Sequence, residues 1–262
     1  MMMRKLIGWC VAAAFAWKRR GVVRKMKAGW RLPVVFHALD AASFGEILAW
    51  FAARGVVDKL QITMDDGWLC VKDYVPYLKK YGVRASLFIA PGQTRRGHVW
   101  TEEANRLGLD WEVWHCWYKL DEAARNEQLD AQARQAGRGA RLERTLLTED
   151  EVKAIAQCGV VDIENHTWSH LSATDRPADE VLSEVVRAQA ELTAWTGRAP
   201  RLLAWPFGRG SEDLDARVRA LGLEPLYTKN LPEGRTMAIE GVSFQENIGR
   251  LTGTWPKVGT TR

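Results

Sequence analysis

Cysteine is scarce and scattered: Cys10, Cys70, Cys116 and Cys158 stand far apart with no C-x-x-C pair. This excludes a disulfide-built scaffold and a thiolate metal centre, and leaves free buried thiols as the plain reading. Acidic residues are missing before Asp40, histidines are missing after His170, and the longest apolar run is residues 6–17. Such a run is too short to span a bilayer and is the size of a signal-peptide core. There is no internal repeat and no low-complexity tract, and apolar residues are not depleted as they are in disordered chains.

The net charge of +5 comes from the leader. Nine of the 37 basic residues and none of the 32 acidic ones lie in the first 39 positions, leaving 28 bases against 32 acids in the rest. A basic leader on a mildly acidic body suits anionic lipid headgroups and argues against nucleic acid, which needs positive charge on the folded surface. Ala14-Phe15-Ala16 resembles a cleavage site, but seven basic residues between Lys18 and Arg31 oppose translocation. We therefore expect a cytoplasmic protein attached peripherally to the inner face of the membrane through residues 1–31. Export to the periplasm or cell surface is the alternative.

Hydrophobic residues at 47% and charged residues at 26% of 262 fit one soluble domain with a full core. Thirteen tryptophans are the only excess. From Leu32 onward, short apolar runs alternate with helical periodicity, the pattern of βα units on a parallel sheet. Strands are predicted over residues 32–39, 59–64, 84–90, 160–163, 202–205, 225–228 and 247–251. Helices are predicted over 44–51 and 74–81, from a Thr148–Glu151 capping box to Gly159, over 181–195, and from Ser211 to Gly222. Residues 93–147 break the rhythm and read as a helical insertion that packs on one end of the core or covers a site. Trp100, Trp111, Trp114 and Trp117 recur there near helical spacing, which fits packing between helices better than a sugar-binding strip. The expected organisation is a segment 1–31 followed by a domain 32–262 with its insertion at about 93–147.

Three polar clusters fall where a predicted strand gives way to a loop, the end that carries the site in parallel α/β folds. Asp65-Asp66-Gly67 sets two carboxylates side by side, so that one can hold a metal while the other acts as a base. His166 and His170 form an H-x-x-x-H pair able to share one cation. Asp66 with both histidines makes three ligands with a position left open, the composition of a hydrolytic metal site. Taken singly, each has an ordinary reading: a solvated turn for the aspartates, a polar surface turn for the histidines. The third cluster is Pro206-Phe207-Gly208.

LQITMDDG, KKYGVRASLFIAPG, LTEDEVKAIAQCGVVDIENHTWSHLS and LLAWPFG, in that order, resemble the NodB-homology domain of polysaccharide deacetylases, carbohydrate esterase family four. The resemblance covers roughly residues 32–251, and LPVVFHALD resembles the poly-N-acetylglucosamine deacetylase branch. It implies an α/β fold, a distorted (β/α) barrel usually of fewer than eight strands. It also implies a divalent metal, commonly zinc, with cobalt or nickel as alternatives. By motif, Asp65 is the general base, and Asp66, His166 and His170 are the metal ligands. A backbone N–H near Phe207, following Pro206, is the oxyanion donor. Many members use a late histidine as general acid. Here His37 stands in for it, with His98 and His115 as the other candidates and a structural or supporting histidine as the competing reading.

Trp68, Trp168 and Trp205 adjoin the motifs as candidate stacking walls for a pyranose, burial in the barrel being the competing reading. The third motif departs from the usual Arg-Pro-Pro-Tyr or Tyr-Pro-Tyr, since Ala204-Trp205-Pro206-Phe207 lacks the arginine and the tyrosine. An arginine that orients the base then comes from elsewhere, Arg250 being the candidate, or is absent. The expected function is metal-dependent N-deacetylation of an N-acetylhexosamine in lipopolysaccharide, capsule or exopolysaccharide, or in a lipid- or nucleotide-linked precursor. The alternatives are a small non-sugar amide as substrate on the same fold, and a glycan-binding protein without catalysis.

Overall fold

The computed structural model describes residues 20–137, 142–226, 238–239 and 248. Residues 20–27 form α1, followed by β1 (Leu32–Phe36), α2 (Ala41–Ala52), β2 (Leu60–Met64), α3 (Val71–Tyr81) and β3 (Ala85–Ile89). An excursion then holds α4 (Pro91–Arg96), α5 (Trp100–Arg106), α6 (Trp111–Trp114) and α7 (Glu122–Gln135). The βα order resumes with α8 (Glu149–Ala156), β4 (Val161–Asn165), α9 (Ala178–Thr196), β5 (Leu202–Ala204), α10 (Glu212–Ala220), β6 (Glu224–Leu226) and β7 (Ala238–Ile239). The seven strands are all parallel, in the order β6-β5-β4-β3-β2-β1-β7. They form a half-barrel with helices on its outer face.

Strand alternation divides the two faces of this sheet. Val34, Phe36, Ile62, Met64, Leu87, Ile89 and Ile163 are buried with residues of α2, α3 and α8 in one core. Val35, Thr63, Ser86 and Phe88 line a cavity of about 450 Å³ on the other, concave face. The helices follow from the same patterning. Asp40 caps α2 by accepting from the Ser43 N–H at 2.8 Å, and Phe44, Ile47, Leu48 and Phe51 turn one apolar face to the sheet. Phe44 stacks on Tyr74 of α3 at 4.1 Å. The Tyr74 hydroxyl accepts from the Leu39 N–H at 3.1 Å and donates to the Leu39 carbonyl, fixing the segment that leaves β1.

Several boundaries differ from the sequence reading. The excursion starts at α4, where Pro91 takes the first helical turn that suits its fixed φ. The strand predicted over 225–228 begins at Glu224, and its residues 227–228 lie outside the described residues. Of the strand predicted over 247–251 only Ile248 is described, and it is helical and buried in the core. The Thr148–Glu151 capping box is present as predicted. Met26 of α1 is fully buried in the same core as the sheet, so packing begins ahead of residue 32. Among the described residues no helix is long and apolar enough to cross a membrane.

Because Phe44 is fully buried against both β1 and α3, Phe44→Ala should lower stability by about 3–5 kcal/mol. The midpoint of urea unfolding reads this directly, and an unshifted midpoint contradicts the packing described.

Candidate active site

The site begins with register. Phe36 and Met64 are paired neighbours buried in the outer core, so the residues that follow, His37 and Asp65, turn to the concave face. Asp65 lines the cavity there, and His37 Nε2 lies 4.0 Å from its Oδ2. Asp66 does not continue the alternation. Its φ of 72° swings the chain into the left-handed region, and Gly67 follows at 78°. A Cβ on Gly67 would meet Ile89 Cδ1 at 2.5 Å, so the tight turn after the two aspartates depends on glycine.

The second motif leaves β4 at Asn165 and crosses the strand ends with its backbone held at nearly every residue. His166 N–H donates to Ile89 O at 3.1 Å, and Thr167 N–H to the Asn165 side chain at 2.8 Å. Gly92 N–H donates to Trp168 O at 2.9 Å, Arg125 to Ser169 O at 2.7 Å, and the Trp100 indole to His170 O at 3.0 Å. Glu184 accepts from Ser169 N–H at 2.8 Å. These contacts hold a costly conformation. Asp66, Thr167, His170 and Phe207 are the four non-glycine residues with positive φ among the described residues, and each such residue costs on the order of 1–3 kcal/mol.

The strain converges on one point. Asp66 Oδ1 lies 3.4 Å from His166 Nε2 and 3.1 Å from His170 Nε2, and the three residues are buried. Tetrahedral ligands bound at about 2.0–2.2 Å stand about 3.3–3.6 Å apart. One separation falls in that range and the other just below it, and with all three donor atoms within 4.8 Å of one another small side-chain adjustments suffice for one cation. The donor chemistry fits as well. His166 Nδ1 contacts the Ala204 carbonyl at 2.7 Å, so it carries a proton, and Nε2, facing Asp66, is the nitrogen left to bind a cation. Trp68 Nε1 donates to Asp66 Oδ2 at 3.2 Å, while the buried Oδ1 has no hydrogen bond among the described residues.

Electrostatics separates the two aspartates. Burial pushes the Asp65 carboxyl above the usual carboxylate value, against the pull of His166 and His37. Burial also opposes charge on Asp66, but His170 and His166 outweigh it and hold that carboxyl well below the usual range. Burial keeps His170 below the ordinary imidazole value. For His166 burial acts the same way, yet contact with Asp66 and the charges of Asp65 and Asp66 raise it. Asp66 is thus a permanent anion suited to a cation, and Asp65 is the more basic carboxylate beside it.

The sequence profile of polysaccharide deacetylases matches residues 55–226. The chain belongs to the polysaccharide deacetylase family. It is similar to a chitin deacetylase of Amylomyces rouxii, 36% identical over an aligned length of 118, the match covering 40% of this chain and 27% of that protein. The chain therefore spans about a quarter of the length of that relative. IcaB of Ammonifex degensii is 17% identical with a TM-score of 0.53, the match covering 85% of this chain and 97% of that one. A polysaccharide deacetylase of Bacillus cereus is 14% identical with a TM-score of 0.56, over 84% of this chain and 68% of that one. At such identities the likeness establishes the fold, the distorted (β/α) barrel of the family. Metal dependence is a general feature of the family, and here Asp66, His166 and His170 are the residues able to hold the ion.

Two expected stacking walls are corrected by burial. Trp205 is fully buried and donates its indole N–H to Asp215 at 2.8 Å. It follows Ala204, which lines the concave cavity, and so points the other way, toward α10. Trp168 is 2% exposed, donates to Glu122 at 2.7 Å, and lies under the Arg187 guanidinium at 3.5 Å. Trp68 is half-buried and orients Asp66. Pro206 is buried, and Phe207 packs its ring edge-on against His170 at 4.6 Å. His98 is engaged by Thr145 Oγ1 and Leu142 O, each at 3.2 Å, and exposed His115 packs on Trp111. Neither shares the surroundings of Asp65. Arg250 lies outside the described residues, and among those described His37 is the one ion-pair partner of Asp65.

The sequence reading missed Arg125, Trp100 and Glu184, which clamp the histidine loop from α7, α5 and α9. No spacing announces them, because they meet the loop only in the fold. Arg125 is 1% exposed, and burial pushes its guanidinium down to about 10, against the pull of Glu184 and Glu122, which leaves it charged at neutral pH. Arg125→Met should weaken zinc affinity about 10–100-fold, the usual loss when a group supporting a ligand is removed. Competition with a chromophoric chelator measures this, and an unchanged affinity contradicts the clamp.

Proposed function

We propose that this chain hydrolyses the N-acetyl group of an N-acetylhexosamine unit in a lipopolysaccharide, capsule or exopolysaccharide, or in a lipid- or nucleotide-linked precursor. The observation that carries the proposal is the buried Asp66–His166–His170 set with a second, more basic carboxylate, Asp65, beside it. Binding alone calls for no such base. A divalent cation in that set, zinc first and cobalt or nickel as substitutes, supplies Lewis acidity to the acetyl carbonyl and acidifies water.

The remaining steps belong to side chains. Asp65 takes a proton from the attacking water, its raised carboxyl making it a better base than an exposed aspartate. The backbone N–H of Phe207 steadies the developing oxyanion, a role that survives loss of the family's usual tyrosine because it needs no side chain. His37, one-quarter exposed and 4.0 Å from Asp65, gives a proton to the leaving nitrogen as the C–N bond breaks. The sugar amine and acetate are the products. Placement near the poly-N-acetylglucosamine branch rests on His37 at the end of β1. The basic residues before Trp30 support peripheral attachment to the cytoplasmic face of a membrane.

Acetate release from N-acetylglucosamine oligomers tests the proposal. It should be lost on chelation and restored by zinc or cobalt. Asp65→Asn should lower turnover by at least about a thousandfold with metal content unchanged, whereas His166→Ala should lose both. His37→Ala should lower kcat with metal retained and remove one limb of the pH–rate profile. Release from small acetamides but from no sugar contradicts the glycan reading, and full activity in Asp65→Asn contradicts the base.

A further inference from the structure

Trp111 breaks the pattern of its neighbours. In the same region Trp100, Trp114, Trp117 and Tyr118 are buried, yet Trp111 is 48% exposed and Val113 45%. Trp114, His115 and Tyr118 follow Trp111 by three, four and seven positions, so one side of this short helical stretch carries four rings. Trp111 meets Trp114 edge-on at 4.5 Å, His115 at 4.6 Å and Tyr118 at 6.3 Å. Tyr118 packs on Phe207 at 4.9 Å, and Phe207 packs on His170 at 4.6 Å. An aromatic wall therefore runs from a candidate metal ligand to an exposed indole in three ring contacts. The indole N–H of Trp114 within it has no acceptor among the described residues.

Charge around the exposed ring decides what it fits. Asp110, Glu112 and His115 beside it are exposed, no Lys or Arg occurs between Arg106 and Lys119, and Arg209, whose guanidinium lies 4.8 Å over the Tyr118 ring, is paired with Asp175 at 2.8 Å. A tip that enters an anionic bilayer carries basic residues around its aromatic side chain, and here the charges have the opposite sign. A sugar matches better: its C–H face covers the indole, and its hydroxyls donate to the flanking carboxylates.

We propose that Trp111, with Asp110, Glu112 and His115, is a distal subsite for another sugar unit of the same glycan chain as the one deacetylated. The substrate is then an N-acetylhexosamine oligomer or polymer and not a single sugar. This rests on the deacetylase reading above. The test separates the two by measuring binding in Asp65→Asn protein, where no turnover is needed. Calorimetry should show that Trp111→Ala weakens zinc-loaded protein for the N-acetylglucosamine hexamer about tenfold and leaves the dimer unaffected, while Trp111→Phe keeps most of the affinity. In the active protein the same substitution should raise KM for the hexamer and leave kcat unchanged.

An unchanged hexamer affinity, or an equal loss for dimer and hexamer, overturns the subsite. So does a Trp111→Ala protein that loses co-sedimentation with phosphatidylglycerol vesicles but keeps its hexamer affinity. If length-dependent binding persists while no oligomer releases acetate, the subsite stands and the deacetylase reading fails.

Discussion

Two imidazole nitrogens lie 3.1 and 3.4 Å from one carboxylate oxygen, and all three side chains are largely buried. Because His166 is tied at Nδ1 to the Ala204 carbonyl, its other nitrogen presents a lone pair to an anion unless positive charge lies between them. Burial makes that mismatch expensive and a cation's attraction correspondingly strong. The local architecture around the strand ends can be understood as what brings these three atoms together and keeps them there.

Regular structure alone does not achieve this. The half-barrel delivers His37, Asp65 and His166 to its rim by simple alternation, but Asp66, Thr167, His170 and Phe207 must all leave the right-handed regions of backbone space. The helical excursion supplies the restraint. Trp100 and Arg125 take the carbonyls of His170 and Ser169, and the segment that closes the excursion pairs Leu146 with Trp68, with Leu147 N–H donating to Gly67 O at 2.8 Å. One insertion thus braces both candidate metal-binding motifs. It also carries the aromatic wall that extends outward from Phe207.

The fold was legible in the sequence because periods of two and 3.6 in apolar residues are direct images of a parallel sheet and its covering helices. That Asp66, His166 and His170 would meet was legible because the polar clusters stood at strand ends. For Trp205 the strand pattern could have decided between stacking and burial: the same alternation that sends Ala204 to the cavity sends Trp205 to α10. For Trp168 no such pattern could decide. Its loop turns on positive φ at Thr167 and His170, which no residue pattern encodes, and carries the ring beneath Arg187. Arg125 and Glu184 act from 44 and 15 residues away from Ser169, so only tertiary contact discloses them.

Anomalous diffraction at the zinc edge, from crystals grown with zinc, tests the central claim most directly. The account predicts one buried peak about 2.0–2.2 Å from Asp66 Oδ1, His166 Nε2 and His170 Nε2, with Asp65 outside the coordination shell. A peak elsewhere, or one bound through Asp65 in place of Asp66, would contradict it.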